Sequence, residues 1–318
     1  MSSRTQPVSD LFFGPSEANK RLLRDLRGFS PTPYSILLLG ATGTGKTVIA
    51  RHIRDLSPRQ AQPFVDCSLP GIAEELRHAE LSGYRKGAFT GAVEDRVGLL
   101  ESAHRGTLFL DELGYASLNL QQLLLTALES GSVRRLGEVR DRPIDVRFIF
   151  ATTCDLSQMR EEGAFLEELY YRVECPTIRV PALAARREDI VPLASRFLRE
   201  ALEQLAKPYR AVLCPDLSET LTSAPWPGNV RQLKSACRYI AVRLDSDRIA
   251  DPGDLPDSFL KETSGKAALT RRDWAKATLD RTGGNKAKAA RDLGMSRQAL
   301  YRLLENPPNI QPPCAQRI

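Results

Sequence analysis

Eight consecutive residues, Gly40, Ala41, Thr42, Gly43, Thr44, Gly45, Lys46 and Thr47, follow directly on the apolar run Ile36 to Leu39. Three glycines, a lysine and a hydroxyl at this spacing are the chemistry of a phosphate-binding loop. The glycines let backbone N–H groups turn inward around phosphate oxygens, and the helix that follows offers its positive N-terminus. Lys46 can reach the outer phosphates and the Thr47 hydroxyl can ligate Mg²⁺. A second apolar run, Gly106 to Glu112 (GTLFLDE), ends in two carboxylates. Asp111 suits the Mg²⁺ shell, and Glu112 suits polarisation of an attacking water. A third run, RFIFATTCDL, ends in Thr152 and Thr153, with Thr153 placed to sense a terminal phosphate. The three together describe Mg²⁺-assisted hydrolysis of a terminal phosphate.

Such residues need a sheet to carry them. Short apolar runs at Ile36 to Leu39, Phe64 to Cys67, Leu108 to Leu110, Val146 to Ala151 and Thr177 to Val180 read as buried parallel strands of an α/β layer fold, with helix-period stretches such as Leu118 to Leu128 between them. The strand ending in Asp111 is expected beside the strand that feeds the phosphate loop. From about Leu183 the pattern turns helical, through Ile190 to Leu205, Leu217 to Ser223 and Val230 to Leu244, as in a small all-helical second domain. Asp251 to Gly265 has linker composition. Three further helix-period segments follow, and then ENPPNIQPP, whose four prolines argue for an extended end.

Charge separates the chain into two parts. The 318 residues carry 45 Lys and Arg against 39 Asp and Glu, net +6. Residues 266–318 hold 11 basic and 4 acidic side chains, net +7, which leaves 34 and 35, net −1, for residues 1–265. The basic segment therefore points to a polyanion partner of its own. Six scattered cysteines, with no CxxC pair, signal neither a zinc site nor a disulfide framework. The first ten residues lack a signal-peptide pattern and no apolar run is long enough to span a bilayer, so a cytoplasmic protein with no membrane partner is expected.

Between the two nucleotide motifs lies GYRKGAFTGA. Its last six residues, Gly87, Ala88, Phe89, Thr90, Gly91 and Ala92, are the GAFTGA signature, and the chain resembles the sigma-54-dependent transcriptional activators, the bacterial enhancer-binding branch of AAA+ ATPases. The likeness runs from Phe13 to about Leu304 and includes PFVDC, LEELYYRVECPTIRVPALAARREDI and WPGNVRQL. It implies an AAA+ ATPase domain with a parallel sheet over residues 1–182, a helical lid over 183–250, a linker over 251–265, a Fis-type helix-turn-helix over 266–306 and a tail over 307–318. By the resemblance, the GAFTGA loop contacts the sigma-54 subunit of RNA polymerase through Phe89 and Thr90. Independently of it, Gly87 and Gly91 permit a tight turn, and an aromatic exposed between them is costly unless something binds it. The resemblance also makes Arg231 a lid sensor and Arg172 an arginine finger that completes a neighbouring subunit's site, which implies a ring, in this family a hexamer.

Three positions depart from the pattern. Leu166 stands where the family usually has a second intersubunit arginine, Asp66 where it usually has Asn, and Thr153 where the first sensor is often Asn. An amide can donate a hydrogen bond to Glu112 and an ionised carboxylate cannot, so Asp66 bears on the switch that links nucleotide state to the loop.

At the C-terminal end, NKAKAARDLGMSRQALYRLLE reads as helix, turn, helix, with Gly294 at the turn and Ser296 capping the second helix. Arg297, Gln298, Tyr301 and Arg302 are expected to face a major groove, and Lys286, Lys288 and Arg291 to meet phosphates, Ser296 belonging to the same DNA-binding set. The resulting expectation is an activator that binds upstream DNA and spends ATP to convert the sigma-54 polymerase holoenzyme from closed to open complex. No receiver or ligand-sensing domain fits before the first strand, so control is expected from elsewhere, as in the phage-shock and Hrp-type layouts. Two alternatives stand beside it: a weakly hydrolysing subunit of a mixed ring with a related chain, and a DNA-bound regulator that no longer acts on sigma-54. A metabolic kinase is disfavoured because it would leave GAFTGA and the helix-turn-helix without a role.

Overall fold

The computed structural model describes residues 14–174, 176–207, 213–244, 249–256, 259, 271–293, 297, 300, 301 and 304. The chain divides into two compact units, one of residues 1–186 with 228–231, the other of residues 187–227 with 232–318.

In the first unit the elements run α1 (Glu17–Phe29), β1 (Ile36–Leu39), α2 (Lys46–Asp55), β2 (Phe64–Ser68), α3 (Glu74–Ser82), β3 (Gly83–Tyr84), β4 (Arg96–Val97), α4 (Leu99–Ser102), β5 (Thr107–Asp111), α5 (Leu118–Ser130), β6 (Ser132–Val133), β7 (Arg142–Pro143), β8 (Arg147–Thr152), α6 (Leu156–Glu161), α7 (Glu167–Val173) and β9 (Thr177–Arg179). Five of these strands form one parallel sheet in the order β2-β5-β8-β1-β9. Alternate strand residues feed two cores, as the period of two requires. Ile36, Leu38, Ile149 and Ala151 pack with Leu22, Leu26, Ile49 and Ile53 of α1 and α2. Leu37, Phe148 and Phe150 pack on the other face with Leu120, Leu124, Leu156 and Leu169. Burial on both faces explains why the strands read as unbroken apolar runs.

The sheet order corrects one expectation. β5 does not neighbour β1, because β8 lies between them, paired through Leu39↔Thr152 on one side and Leu110↔Phe150 on the other. The gap is two strand spacings, roughly 10 Å, and it is bridged by long side chains rather than by backbone. The interposed strand brings its own threonines to the same edge.

Arg147, at the start of β8, is buried and donates to the carbonyls of Phe29, Ser30 and Tyr34 at 3.1, 2.6 and 3.3 Å. It thereby satisfies the C-terminal end of α1 and ties it to the sheet. Burial pushes its guanidinium down to about 10, so it stays protonated at neutral pH.

The second unit contains α8 (Ile190–Gln204), α9 (Pro215–Ser223), most of α10 (Asn229–Arg243), α11 (Arg271–Arg281) and α12 (Lys286–Asp292). Trp226 is fully buried, donates to the Leu221 carbonyl at 2.7 Å and lies 4.7 Å from the Phe259 ring. Lys207 donates to the carbonyls of Ala241, Val242 and Leu244, closing the end of α10. Within the stretch of linker composition, Asp251 and Asp254 are buried and form a reciprocal capping box around a short 3₁₀ turn, Pro252–Asp254. Composition alone hid this packing, because Pro, Gly and Asp serve caps as well as linkers. Ala275, Ala289, Ala290, Leu293 and Leu300 form the small core of the C-terminal helices.

Among the described residues no helix is long and apolar enough to cross a membrane, and no group of His, Cys, Asp and Glu side chains is placed to hold a metal. Cys67, Cys154, Cys214 and Cys237 are free, and burial pushes the thiols of Cys67 and Cys214 up to about 11 and that of Cys237 to about 12. Those three are protonated and unreactive at neutral pH.

Replacing Arg147 by Ala removes three hydrogen bonds at the end of α1 and takes the donor from the buried Ser30 carbonyl. We expect a loss of about 2–4 kcal/mol of folding stability in urea titrations, and an unchanged midpoint would show that the α1 anchor is idle.

Candidate functional site

The phosphate loop is held from outside by its carbonyl oxygens. Thr42 accepts from Asn229 Nδ2 at 2.9 Å, Gly43 from the Arg231 N–H at 3.2 Å, and Thr44 from the buried guanidinium of Arg186 at 3.3 Å. Asn229 also accepts from the Leu183 N–H at 2.8 Å, and Arg186 donates to Asn19 at 3.0 Å. These contacts fix which way the backbone faces. Gly43 has φ +76°, and a Cβ there would stand 2.3 Å from the Gly228 carbonyl oxygen, so only glycine fits. Gly45, at φ +103°, starts α2.

Lys46 is nearly buried and donates to the Gly40 carbonyl at 2.8 Å. Its Nζ also lies 3.6 Å from Glu112 Oε1, which closes the two-strand gap. Glu112 takes a left-handed backbone, φ 61° and ψ 53°. A non-glycine residue in this region costs of order 1 kcal/mol, and here it turns the carboxylate back over the end of β8. Glu112 Oε2 accepts both the N–H of Thr153 at 3.1 Å and its hydroxyl at 2.9 Å. Asp111 accepts the Glu112 N–H at 3.0 Å. Burial, and then the charge of Glu112, pushes Asp111 above the usual carboxylate range. Two adjacent carboxylates, one of them half-buried, make an electrostatic demand that a divalent cation satisfies, so the donor set of Asp111 and Thr47 fits Mg²⁺. Asp66 does not contact Glu112 through any hydrogen bond seen here. Its carboxylate pairs instead with Arg51 of α2 at 3.2 Å.

The GAFTGA segment lies between β3 and β4, which pair through Gly83↔Val97 and Tyr84↔Arg96. Gly87 donates to the Ala92 carbonyl at 2.8 Å and Ala92 to that of Phe89 at 3.0 Å. Gly87 and Gly91 have φ +82° and +103°, as the tight turn requires. Thr90 is exposed and Ala92 buried. Phe89 is 36 % exposed and meets the Tyr84 ring edge-on at 5.0 Å. The aromatic thus rests on its own hairpin with one side open to solvent. At the base, Asp95 accepts the Lys86 N–H at 2.8 Å and pairs with the Arg85 guanidinium. The Lys86 N–H first, and Arg85 with it, hold Asp95 below the usual carboxylate range.

A second hairpin, between β6 and β7, leans on this base. Arg85 donates to the Leu136 carbonyl and Leu136 to that of Gly83, each at 3.0 Å. Arg135 grips Glu101 with two hydrogen bonds of 2.6 and 2.9 Å, and Arg142 grips Glu138 with two of 2.9 Å.

On α7, Arg172 pairs with Glu129 of α5 at 3.0 Å, both side chains about half exposed. Leu166 packs against the core of that face, and its N–H donates to the buried Gln121 at 2.7 Å. Gln121 also donates to the carbonyls of Ala116 and Ala164, so it sets the course of the chain into α7. In the C-terminal module Lys286, Lys288, Arg291, Arg297 and Tyr301 are all exposed, and Lys286 Nζ lies 4.4 Å over the Tyr301 ring. Asn285 caps α12 by accepting from the Ala287 and Lys288 N–H groups. Gly294, Ser296, Gln298 and Arg302 lie outside the described residues.

Of the supporting residues, Arg186, Gln121 and Arg51 carry no local sequence signal: Arg51 finds Asp66 across 15 positions, Gln121 finds Leu166 across 45 and Arg186 finds Thr44 across 142. Asn229 stands within WPGNVRQL, where Arg231 alone drew attention.

Comparison with known proteins agrees with this arrangement. The Sigma-54 interaction domain matches residues 12–179, an AAA+ ATPase lid domain residues 184–272, and the Fis-family bacterial regulatory protein domain residues 276–305. The transcriptional regulatory protein GlrR of Escherichia coli K12 is 39% identical over 291 residues, covering 89% of this chain and 65% of GlrR. UacR of the same organism, a putative uric acid sigma-54-dependent transcriptional regulator, is 36% identical over 299 residues, covering 93% of this chain and 50% of UacR. The chain thus spans between half and two thirds of the length of these relatives. Among solved structures, NtrX from Brucella abortus in complex with ADP superposes with a TM-score of 0.74 at 32% identity, covering 93% of this chain and 70% of NtrX. Its signature loop, nucleotide-type site, lid and Fis-type module taken together, the chain belongs to the family of sigma-54-dependent transcriptional activators built on the AAA+ fold.

Proposed function

We propose that this chain is an ATP-driven activator of sigma-54 RNA polymerase, held at upstream DNA by its C-terminal module and acting as a ring, a hexamer by family likeness, in the cytoplasm. The observation that carries the reading is the union, in one α/β unit, of a lysine-and-carboxylate phosphate site with a GAFTGA hairpin whose Phe89 is half open to solvent.

Gly40 to Thr47 would hold the nucleotide phosphates, with Lys46 on the outer ones, and Thr47 and Asp111 would hold Mg²⁺, which neutralises phosphate charge when bound. Glu112 orients the attacking water once Lys46 and Thr153 cease to compete for its oxygens. Arg172 exchanges Glu129 for a neighbouring subunit's phosphates, and Arg231, whose N–H is bonded to Gly43, reports nucleotide state to the lid. Phe89 and Thr90 then meet sigma-54, with Gly87, Ala88, Gly91 and Ala92 shaping the loop. NtrX binds ADP and ATP in its solved complexes, which supports nucleotide binding here.

A second reading has its own observation. Leu166 is partly buried and packs against the core, so the arginine usual at that place is replaced by an apolar contact. A ring of identical chains then has Arg172 alone of the two, and a related subunit would supply the other. If the isolated chain turns ATP over as fast with no partner as with a related subunit added, the mixed-ring reading falls.

The direct test is open-complex formation at a sigma-54 promoter with ATP and an upstream site. Thr90→Ala is expected to abolish it while ATP turnover continues. Unchanged activation would favour a DNA-bound regulator that has left sigma-54 behind. Deleting residues 266–318 is expected to remove DNA affinity together with its salt dependence while ATP binding persists, and DNA binding retained by the truncated chain would show that the basic module is not the DNA-binding part.

A further inference from the structure

Arg51 belongs to no motif, yet it stands one helical turn beyond Thr47 on the same face of α2. Its guanidinium pairs with Asp66 of β2 at 3.2 Å. The β2–β5 register sets Ser68 opposite Asp111 and Asp66 opposite Phe109, so Asp66 stands beside the strand that ends in the two site carboxylates. It is near enough for its charge to be among those acting on Asp111.

We propose that Arg51 is a positioning residue of the nucleotide site, cancelling the charge of Asp66 so that Asp66 neither opposes a bound polyphosphate nor competes for its cation. The inference rests on the reading that the site takes Mg²⁺-bound ATP. Its chemistry is a charge count. Asp66, Asp111 and Glu112 put three carboxylates near a place meant for a ligand that is itself negative; Lys46 stands against Glu112, and Arg186 is bound to the loop carbonyl of Thr44. Arg51 is the cation paired with Asp66. Where an amide at position 66 would need no counter-charge, a carboxylate does, and the P-loop helix carries one at the position that reaches it. The pair also leaves the holding of Glu112 to Thr153, whose N–H and hydroxyl both bind Oε2.

Both partners are partly exposed, at 60 % and 35 %, so the pair contributes little to folding. Its effect is expected on the ligand instead. This separates the proposal from a merely structural ion pair.

The experiment compares the full chain with Arg51→Ala, Asp66→Asn and the double variant, reading the Kd of Mg·ATP, ATP turnover and the unfolding midpoint. Arg51→Ala is expected to weaken Mg·ATP binding about 3- to 10-fold at ~50 mM salt, less at ~500 mM, with the midpoint unmoved. Adding Asp66→Asn to it should bring Kd and turnover back to within about 2-fold of the parent. If the parent binds Mg·ATP and Arg51→Ala matches it, or if Asp66→Asn fails to restore the Arg51→Ala chain, the role assigned to Arg51 is wrong. If the parent itself does not bind Mg·ATP, it is the nucleotide reading that fails, and the inference built on it goes with it.

Discussion

Everything at the site depends on parallel register. Leu39 pairs with Thr152 and Leu110 with Phe150, so β1, β8 and β5 end level with one another. The phosphate loop, the two threonines and the two carboxylates therefore emerge along one sheet edge. A slip of one residue would turn Asp111 to the opposite face. The sheet is buried on both sides, which is what pins the register. In this sense the apolar packing of Ile36, Leu38, Ile149 and Phe150 is a positional requirement for a lysine and a glutamate that meet 3.6 Å apart.

Local strain follows from the same layout. With β8 between the motif strands, Glu112 must reach sideways, and its left-handed backbone is how it does so. The unfavourable conformation is offset by two hydrogen bonds from Thr153 and by the neighbouring Lys46 charge. Such an arrangement has two preferences for one carboxylate, and a ligand that draws Lys46 away changes the balance. The GAFTGA hairpin is built with a comparable economy, closed at its base by Asp95 and a leaning second hairpin but open at Phe89 and Thr90.

Much of this was legible in the sequence. All five parallel strands lie within about a residue of the apolar runs that announced them, and the phosphate loop, the DE strand end and the GAFTGA turn were each local enough to read in one line. Strand order was not, because it depends on which crossovers pack, and nothing in GTLFLDE says that another strand will intervene. The braces were also hidden. Arg186 finds Thr44 across 142 residues, and Gln121 finds Leu166 across 45. A buried polar side chain whose partner is a distant backbone group leaves no pattern in its own neighbourhood. Asp66 was visible as an oddity, but its partner on α2 was not.

The charge count of the whole chain takes on a different sense beside these contacts. Net −1 over residues 1–265 is an average over a surface crowded with pairs, among them Arg51 with Asp66, Arg85 with Asp95 and Arg172 with Glu129. Near-neutrality there comes from local cancellation, and each exposed pair is weak enough to be exchanged for a charged ligand or another subunit. The C-terminal module is arranged otherwise. Lys286, Lys288, Arg291 and Arg297 are exposed on a segment of net +7, and Lys286 rests on an aromatic face. One part of the chain holds many of its cations against its own carboxylates, while Lys286, Lys288, Arg291 and Arg297 of the other are exposed, as a partner with a repeating negative charge would require.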